Sequence, residues 1–576
     1  LVLRGQVIPS SRTVDWSLAG LSDTLPEPSI IINVSGFGAA GDGVTINDLP
    51  VQNAISSAGG NPAVIFFPGG TYLFNSSLTI PSYIIIRGDS SSLTTLRFDL
   101  AGASSDLFRI NGSISTLSYP LISDGQKGND FILVNNSGLT TGDYFKLYQN
   151  DSSIITSSWA LNCVAQIIQV KGINGDTLFL KSPLRKDYSL SDFSRIKKII
   201  PKVFVGFECF TLERMDSTAA QTSNFDFDLA ANCWIKGVES NRTNFAHVAV
   251  SRSTNLLIRG NYFHHAFAYG GGGQAYGVLL QFSSGESLVE NNIFKNLRHS
   301  MLLQAGANGN VFGYNYSLNP FWTEGSFPAN SAGDMVLHGN YVFANLFEGN
   351  ICQNIVIDDS HGINGPFNTF FRNRAASYGI IMNNNPASND QNFVGNEITS
   401  TGFLMGNYAL NGTGHFQYGN IVRGNLTPAG TTGLNTTSYY RDSAPGFFGA
   451  SSWPSFGPPL PYNTGTIPAQ SRYNSGAYVV CSEPVLDIPV SELSNQLKIF
   501  PNPNSGEFRI QCDRISKSSV IEILDLGGKK VLTRETNNVN NSFISLKPVE
   551  NGVYLILIKN EAGMIMQRSK LILVNE

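Results

Sequence analysis

The chain has 576 residues, of which 42% are hydrophobic and only 14% charged, with a net charge of -4. That length exceeds what one hydrophobic core organises, so several domains or one elongated repeat fold are expected, and a small stapled scaffold or a disordered chain is excluded. The mildly acidic balance argues against a protein that works by binding nucleic acid or an anionic membrane, and no uncharged apolar run reaches the ~18 residues of a bilayer span.

Residues 1–28 read as an N-terminal segment whose opening LVLRG, without a Met, is either the tail of a removed export signal or an arbitrary boundary. Beyond it a Gly-rich turn, GFGAAGDG, leads into a helix expected at 48–58 and then into strands broken by PGG and PS. A helix there would close the open end of a repeat stack. The turn lacks the GxGxxG spacing and no βαβ unit follows, so it is not a dinucleotide site. At 129–190, GDYFKLYQND and VAQIIQVKGINGDTLFLKSPL read as hairpins around an NGD turn, a small inserted antiparallel β subdomain that would wall one side of a groove.

From about residue 232 one phrase returns, with Asn followed by an apolar residue: IRGNYF at Asn261, VENNIF at Asn292, FGYNYS at Asn315, LFEGNI at Asn350, FFRNRA at Asn373, FVGNEI at Asn396 and QYGNIV at Asn420. Four intervals are 23 or 24 residues, and two of 31 and 35 carry inserted loops. The period is too short for a propeller blade and its alternating strands do not form paired helices. It predicts a parallel β-helix over residues 29–440, with about nine coils or more and the asparagines stacked in a buried ladder whose backbone takes the left-handed corner. Residues 441–495, rich in Pro, Gly and Ser, read as a linker or strap. Residues 496–576 form a separate unit of alternating strands with PNSG, GG and NG turns, a small β-sandwich. The six cysteines show no metal spacing and read as buried thiols, with a Cys209–Cys233 disulfide as the alternative.

Two resemblances follow from these phrases. GAAGDGVTINDLPVQNAI is similar to the opening motif of the pectate-lyase-like right-handed β-helix superfamily, keeping Asp42 and Gln52 but carrying Ile46, Asn47 and Leu49 where the family has other, often acidic, residues. The fold class implied is all-β, a right-handed parallel β-helix; the superfamily includes lyases, hydrolases, epimerases and phage tailspikes. PNP at 501–503, DLGGK at 525–529 and GVY at 552–554 resemble the C-terminal sorting domain of type IX secretion substrates of Bacteroidetes. That resemblance implies the secretion machinery as a partner and a secreted or cell-surface location. A carbohydrate-binding sandwich is the weaker reading, since the segment has no Trp and one Tyr.

The candidate site lies where the coils are decorated. Counting back from each ladder Asn places Gln281, Gln304, His338 and His361 in one outward column on consecutive rungs, with Asp334 on the face of His338 and Asp359 near His361. Loops 264–277 and 318–333 would form walls. His338, His361, Asp334, Asp359, Asp358, His299 and Arg298 are the catalytic candidates. Gln281, Gln304, His264, His265, Tyr269, Trp322, Glu324 and Arg372 are the substrate-binding ones. Rings that stack on pyranose faces beside titratable groups suit a polysaccharide substrate. A lyase would use His338 or His361 as base, with Arg298 or Arg372 offsetting a uronate carboxylate. A hydrolase would pair carboxylates among Asp334, Asp358, Asp359 and Glu324. IDDSHGING is similar in parts to the Asp pair and Gly-His-Gly of polygalacturonases, fused here into one strand. An epimerase, which in the superfamily pairs Asp and His, and a non-catalytic glycan-binding surface protein are the other readings. No metal ligands are assigned and no cofactor is demanded; a calcium requirement cannot be read from groove carboxylates. The chain is expected to act as a monomer.

Overall fold

Short β-branched and aromatic phrases separated by polar corners cannot bury their apolar faces alone, and stacking them does. The computed structural model describes residues 7–23, 27–324, 332–383, 385–449, 451–481 and 498–574, the last span without 503, 512–518, 526–528, 537–541, 547–549 and 561–564. The chain divides into two compact units, 1–483 and 484–576.

The first unit is a right-handed parallel β-helix with three strand series. One is a twelve-stranded parallel sheet running from Ile30–Asn33 through Leu257–Arg259 and Leu346–Glu348 to Phe416–Tyr418. The other two series belong to one large sheet, because Ile351–Ile357 and Arg374–Met382 run unbroken from one face to the next. Helix Asp48–Ser57 inserts Val51, Ala54 and Ile55 into the first layer of the core. Along the core Phe312, Phe347, Phe370 and Phe393 stack ring on ring at 5.2, 5.1 and 5.3 Å. At the far end Asn420–Val422 pairs antiparallel with Asn425–Thr427, reversing the strand direction.

The seven asparagines form one buried ladder. Asn350 Nδ2 donates to Asn373 Oδ1 (2.9 Å) and to the Phe312 carbonyl (2.8 Å), while its Oδ1 accepts from the backbone and side-chain nitrogens of Asn315 (both 2.9 Å). A second ladder, Asn310, Asn345, Asn368 and Gln391, runs along another corner. The left-handed conformation falls on the residue before each ladder asparagine, not on the asparagine itself. Cys209, Gly237, Gly260, Asn291, Tyr314, Gly349, Arg372, Gly395 and Gly419, with φ between 51° and 68°, make up that corner column.

Residues 434–481 run over this column. Three of its four non-glycine side chains grip them: Asn291 accepts from Arg472 Nη1 (2.5 Å), the Tyr314 hydroxyl from Trp453 Nε1 (2.8 Å), and Arg372 donates to the carbonyls of Leu434, Thr436, Phe456, Gly457 and Pro458. Arg372 is therefore buried beneath the strap, not in a groove, and its expected role toward a substrate carboxylate is withdrawn. The inserted antiparallel sheet extends from Ser113–Ile114 to Arg195–Ile200, beyond 129–190 at both ends. Cys233 sits in the core and donates to the Ala231 carbonyl, so it does not pair with Cys209.

In the second unit a three-stranded sheet (Lys498–Phe500, Glu507–Gln511, Ser542–Ser545) and a four-stranded one (Lys530–Thr536, Ser519–Asp525, Gly552–Asn560, Ile565–Leu573) share a core of Phe508, Ile521, Ile544, Ile556 and Leu571. Pro503 and residues 526–528 of its motifs lie outside the described residues.

Asn350→Ala strips hydrogen-bond partners from buried groups of Asn315, Phe312 and Asn373. At about 1–3 kcal/mol per orphaned group, it is expected to lower unfolding free energy by about 3 kcal/mol or more, measured by denaturant titration. A loss under about 1 kcal/mol would show that the ladder does not carry the stack.

Candidate active site

One strand series carries the candidate residues on its outer face, where Tyr276, Gln281, His299, Gln304, His338 and Asp358 are each at most 8% exposed. Along Ala246–Ser251, Tyr276–Gln281, His299–Leu303 and Met335–Leu337 the inward side chains, from Val248 to Leu337, fill the core. Outward, Ala249, Leu279, Leu302 and Val336 make an apolar floor. Tyr276 and His299 pair on one side of it. On the other, Ser251 and Gln281 pair, and Gln304, His338 and Asp358 follow one residue beyond the paired leucines and Ile357. The amides link along that column: Gln304 Nε2 donates to Gln281 Oε1 (2.6 Å), and Gln281 Nε2 to Ser251 Oγ (3.1 Å).

The column ends in a histidine–carboxylate pair. His338 Nδ1 lies 2.5 Å from Asp358 Oδ2. A carboxylate accepts, which puts the ring proton on Nδ1 and leaves Nε2 as a lone pair with no protein partner among the described residues. Burial raises the Asp358 pKa, but His338 and the Ser360 N–H (3.0 Å) outweigh it and hold the group below the usual carboxylate value. Other rings crowd the pair. His361 stands edge-on to His338 at 4.7 Å and His299 is 5.8 Å away, with Tyr276 5.1 Å beyond. His299 Nδ1 meets the Gly333 carbonyl (2.7 Å), so it donates, and its Nε2 is buried without a partner among the described residues. Burial, then Arg298 and His338, pushes the His299 pKa down to about 3, so the ring is neutral. Burial also lowers His361, and it raises Tyr276, which keeps its phenol proton.

Gly339 allows this crowding. It has φ +77°, and a Cβ on it would lie 2.7 Å from the His361 carbonyl carbon, so the chain carrying His361 folds back against the rung of His338. The insert supplies a wall. Arg185 bonds Asn308 Oδ1 (2.7 Å) and pairs with Glu286, Ser283 Oγ donates to the Cys163 carbonyl (2.7 Å), and Cys163 Sγ to that of Asn340 (3.4 Å). This anchoring sets Trp159, 46% exposed, edge-on to His361 at 5.3 Å. On strand Tyr144–Tyr148, Tyr144 packs against Leu229 and Ala231, and Lys146 shares that face two residues on, opposite Lys197. Burial lowers the Lys146 pKa to about 8, with Cys163 and Arg252 nearby.

Other expectations are corrected. The rung neighbour of His338 is Asp358, and His361 lies in the turn beyond it, because the stretch from Asp358 to Asn368 is three residues longer than that from His338 to Asn345. Asp334 does not reach His338. It points inward to Ser300 Oγ (3.0 Å), Ser317 Oγ (2.6 Å) and the Gln353 N–H (2.8 Å), since alternation breaks where the strand begins. Asp359 accepts from the Asn385 N–H (2.7 Å). Arg298 donates to the Gly270 carbonyl (2.7 Å) and lies over the Trp322 ring at 5.3 Å. Tyr269 packs on Phe321, and Glu324 accepts from the Gly271 N–H (2.7 Å), tying the two wall loops together. Residues 325–331 of the second loop lie outside the described residues. His264 bonds His265 (2.7 Å) and Glu239 (3.0 Å) on a different strand series from His338. Among the described residues no His, Cys, Asp and Glu set could hold a metal ion.

Trp159 and Lys146 were not singled out from the sequence, because the insert has no repeat that fixes its register. An exposed-ring phrase, SSW at 157–159, in a segment expected to wall the groove was the available signal.

With a folded-state pKa below the ordinary 6.5, His299 stays neutral where the unfolded chain takes up a proton. Its contribution to stability is thus present above about 6.5 and lost as pH falls toward 3. As pH drops from about 7 to about 5, the Tm of the parent chain should fall faster than that of His299→Gln, measured by thermal scans of both. Parallel slopes would contradict this assignment.

Residues 31–136 match the family model described as rhamnogalacturonase A/epimerase, pectate lyase-like, and residues 498–574 match the secretion system C-terminal sorting domain. No curated protein matches the chain in sequence. Solved structures with a similar fold include tailspike protein gp49 of Pseudomonas phage LKA1, 17% identical over 68% of this chain and 64% of its own, with a TM-score of 0.45. The chain thus spans less than two thirds of that tailspike's length. An exopolygalacturonase of Thermotoga maritima is 12% identical over 69% and 88%, with a TM-score of 0.35. PfbA, a surface adhesin of Streptococcus pneumoniae, is 12% identical over 64% and 86%, with a TM-score of 0.31. No helix among the described residues is long and apolar enough to cross a membrane. Residues 31–136 thus carry a pectate-lyase-like domain match on a right-handed parallel β-helix, and residues 498–574 carry the sorting domain of proteins exported by type IX secretion to the cell surface or beyond.

Proposed function

We propose that the chain is an exported enzyme that cleaves an acidic polysaccharide by β-elimination at a uronate, with His338 as the base. The observation that carries this reading is the Asp358–His338 bond, which fixes the imidazole tautomer and leaves Nε2 unengaged among the rings of the groove. In this reading Nε2 removes the proton next to the uronate carboxyl group. The electron pair released forms the double bond and expels the glycosidic oxygen, and the Tyr276 phenol, kept protonated by burial, gives that oxygen its proton. Asp358 stabilises the imidazolium that forms. Trp159 offers a ring to a sugar face, and Lys146 offers positive charge to a neighbouring carboxylate.

Hydrolysis would need two carboxylates facing the scissile bond. Asp334 is enclosed and Asp359 and Glu324 are engaged by backbone N–H groups, which leaves Asp358 alone beside His338. At His338 that disposition favours elimination; Asp226 and Asp228 share the outward face only four rungs away, beside Ala249 and Ser251. The activity is assigned to the coils and insert, the strap to closing them, and residues 496–576 to export.

His338→Ala should cut turnover at least about a hundredfold on the acidic polymer that the parent enzyme cleaves, followed by the ultraviolet absorbance of the unsaturated uronate. New reducing ends without absorbance would replace elimination by hydrolysis. Deleting residues 496–576 should leave the first unit's thermal transition in place and abolish export from the host, since the two units have separate cores. Normal secretion of the truncated chain would contradict the sorting role.

A further inference from the structure

Two cysteines meet where the strap ends. Cys209 occupies the corner column, with φ +59°, between the strand Gly206–Glu208 and the next turn of the coil. The last described residues of the strap cross the same column: the Val480 N–H donates to the Gly260 carbonyl (2.9 Å), and Cys481 Sγ donates to that of Gly237 (3.4 Å). The approach is close, since a Cβ on Gly237 would lie 2.7 Å from the Val480 carbonyl oxygen. Cys209 Sγ donates to the Cys481 carbonyl oxygen (3.6 Å), so the two cysteines are in direct contact. Asn291, Tyr314 and Arg372, the other side chains of the column, each grip the strap, and Cys209 is the remaining one. The remaining described cysteines do not pair this way: Cys163, Cys233 and Cys352 are buried, each against backbone carbonyls.

We propose that Cys209 and Cys481 are joined by a disulfide in the exported protein, a covalent fourth grip that staples the end of the strap to the coil. Export takes the chain out of the reducing cytosol and into surroundings where such a bond persists. The oxidant is a disulfide-bearing thiol oxidoreductase of the cell envelope. The Cys481 thiolate attacks a sulfur of the oxidant's disulfide, the mixed disulfide forms, and the Cys209 thiolate displaces the oxidant's thiol. Two protons and two electrons leave the chain, and the oxidant departs as a dithiol. Cys481 attacks first because Cys209, against burial and with help from Ser91, holds its thiol down at about 7.

The test uses the full chain exported by its host and purified without reductant, alkylated under denaturing conditions and analysed by peptide mass spectrometry. The expected result is a Cys209–Cys481 cross-linked peptide about 2 Da lighter than the sum of the two thiol peptides, with Cys163, Cys233 and Cys352 alkylated. Both Cys209 and Cys481 carrying alkyl groups without prior reduction would overturn the proposal. In a second arm, reductant should lower the Tm of the exported parent chain and leave that of Cys481→Ser unchanged; an equal drop in both would also overturn it. Neither arm depends on the catalytic reading.

Discussion

Everything in the first unit depends on a side-chain amide reaching its equivalent one rung away. From Asn261 to Asn396 each ladder asparagine donates two hydrogen bonds, from its backbone N–H and its Nδ2, to the Oδ1 of the next, at distances of 2.9 to 3.1 Å. A parallel strand pair could otherwise slip by two residues and still bury its apolar face. The amide chain removes that freedom, because a slipped rung would leave several buried polar groups without partners. Intervals of 31 and 35 residues obey it as well as those of 23, so the extra residues leave the register of the core unchanged. The outward columns of the groove inherit their alignment from this interior constraint.

How much could be read from the chain follows from how far each residue lies from that ladder. The coils, the ladder and the capping helix were legible, since each rests on local periodicity or on the repeated Asn. Gln281, Gln304 and His338 fell in one column as counted. His361 did not, because the count crossed a turn whose length differs from rung to rung, and Asp358 took its place beside His338. Asp334 was misplaced for a related reason: strict alternation holds only inside a strand, and its side chain turns inward at the strand's first corner. Arg372 looked like a groove cation, yet a left-handed corner residue points at whatever covers the corner, and here that is the strap. Trp159 and Lys146 approach the groove through tertiary docking of the insert, which no periodicity encodes.

The groove is built before any ligand arrives. Its floor is strand, its amides are already bonded to one another, and its insert wall is anchored by the buried Arg185–Glu286 pair and by Asn308. Binding to such a surface orders few side chains, so more of each contact remains as affinity or as orientation at the reacting centre. The buried neutral His299 fits the same design: it fills space beside His338 without adding a competing positive charge.

The antiparallel hairpin that ends the coils, Asn420–Val422 against Asn425–Thr427, has a consequence for populations of the molecule as well as for its fold. A stack of parallel rungs is a template, and its bare last rung would accept the first rung of another copy as readily as one of its own. Turning the final strand around replaces that template with one of opposite polarity, while helix Asp48–Ser57 plugs the other end. The hairpin and the helix thus remove two of the parallel templates on which the rungs of another copy could stack.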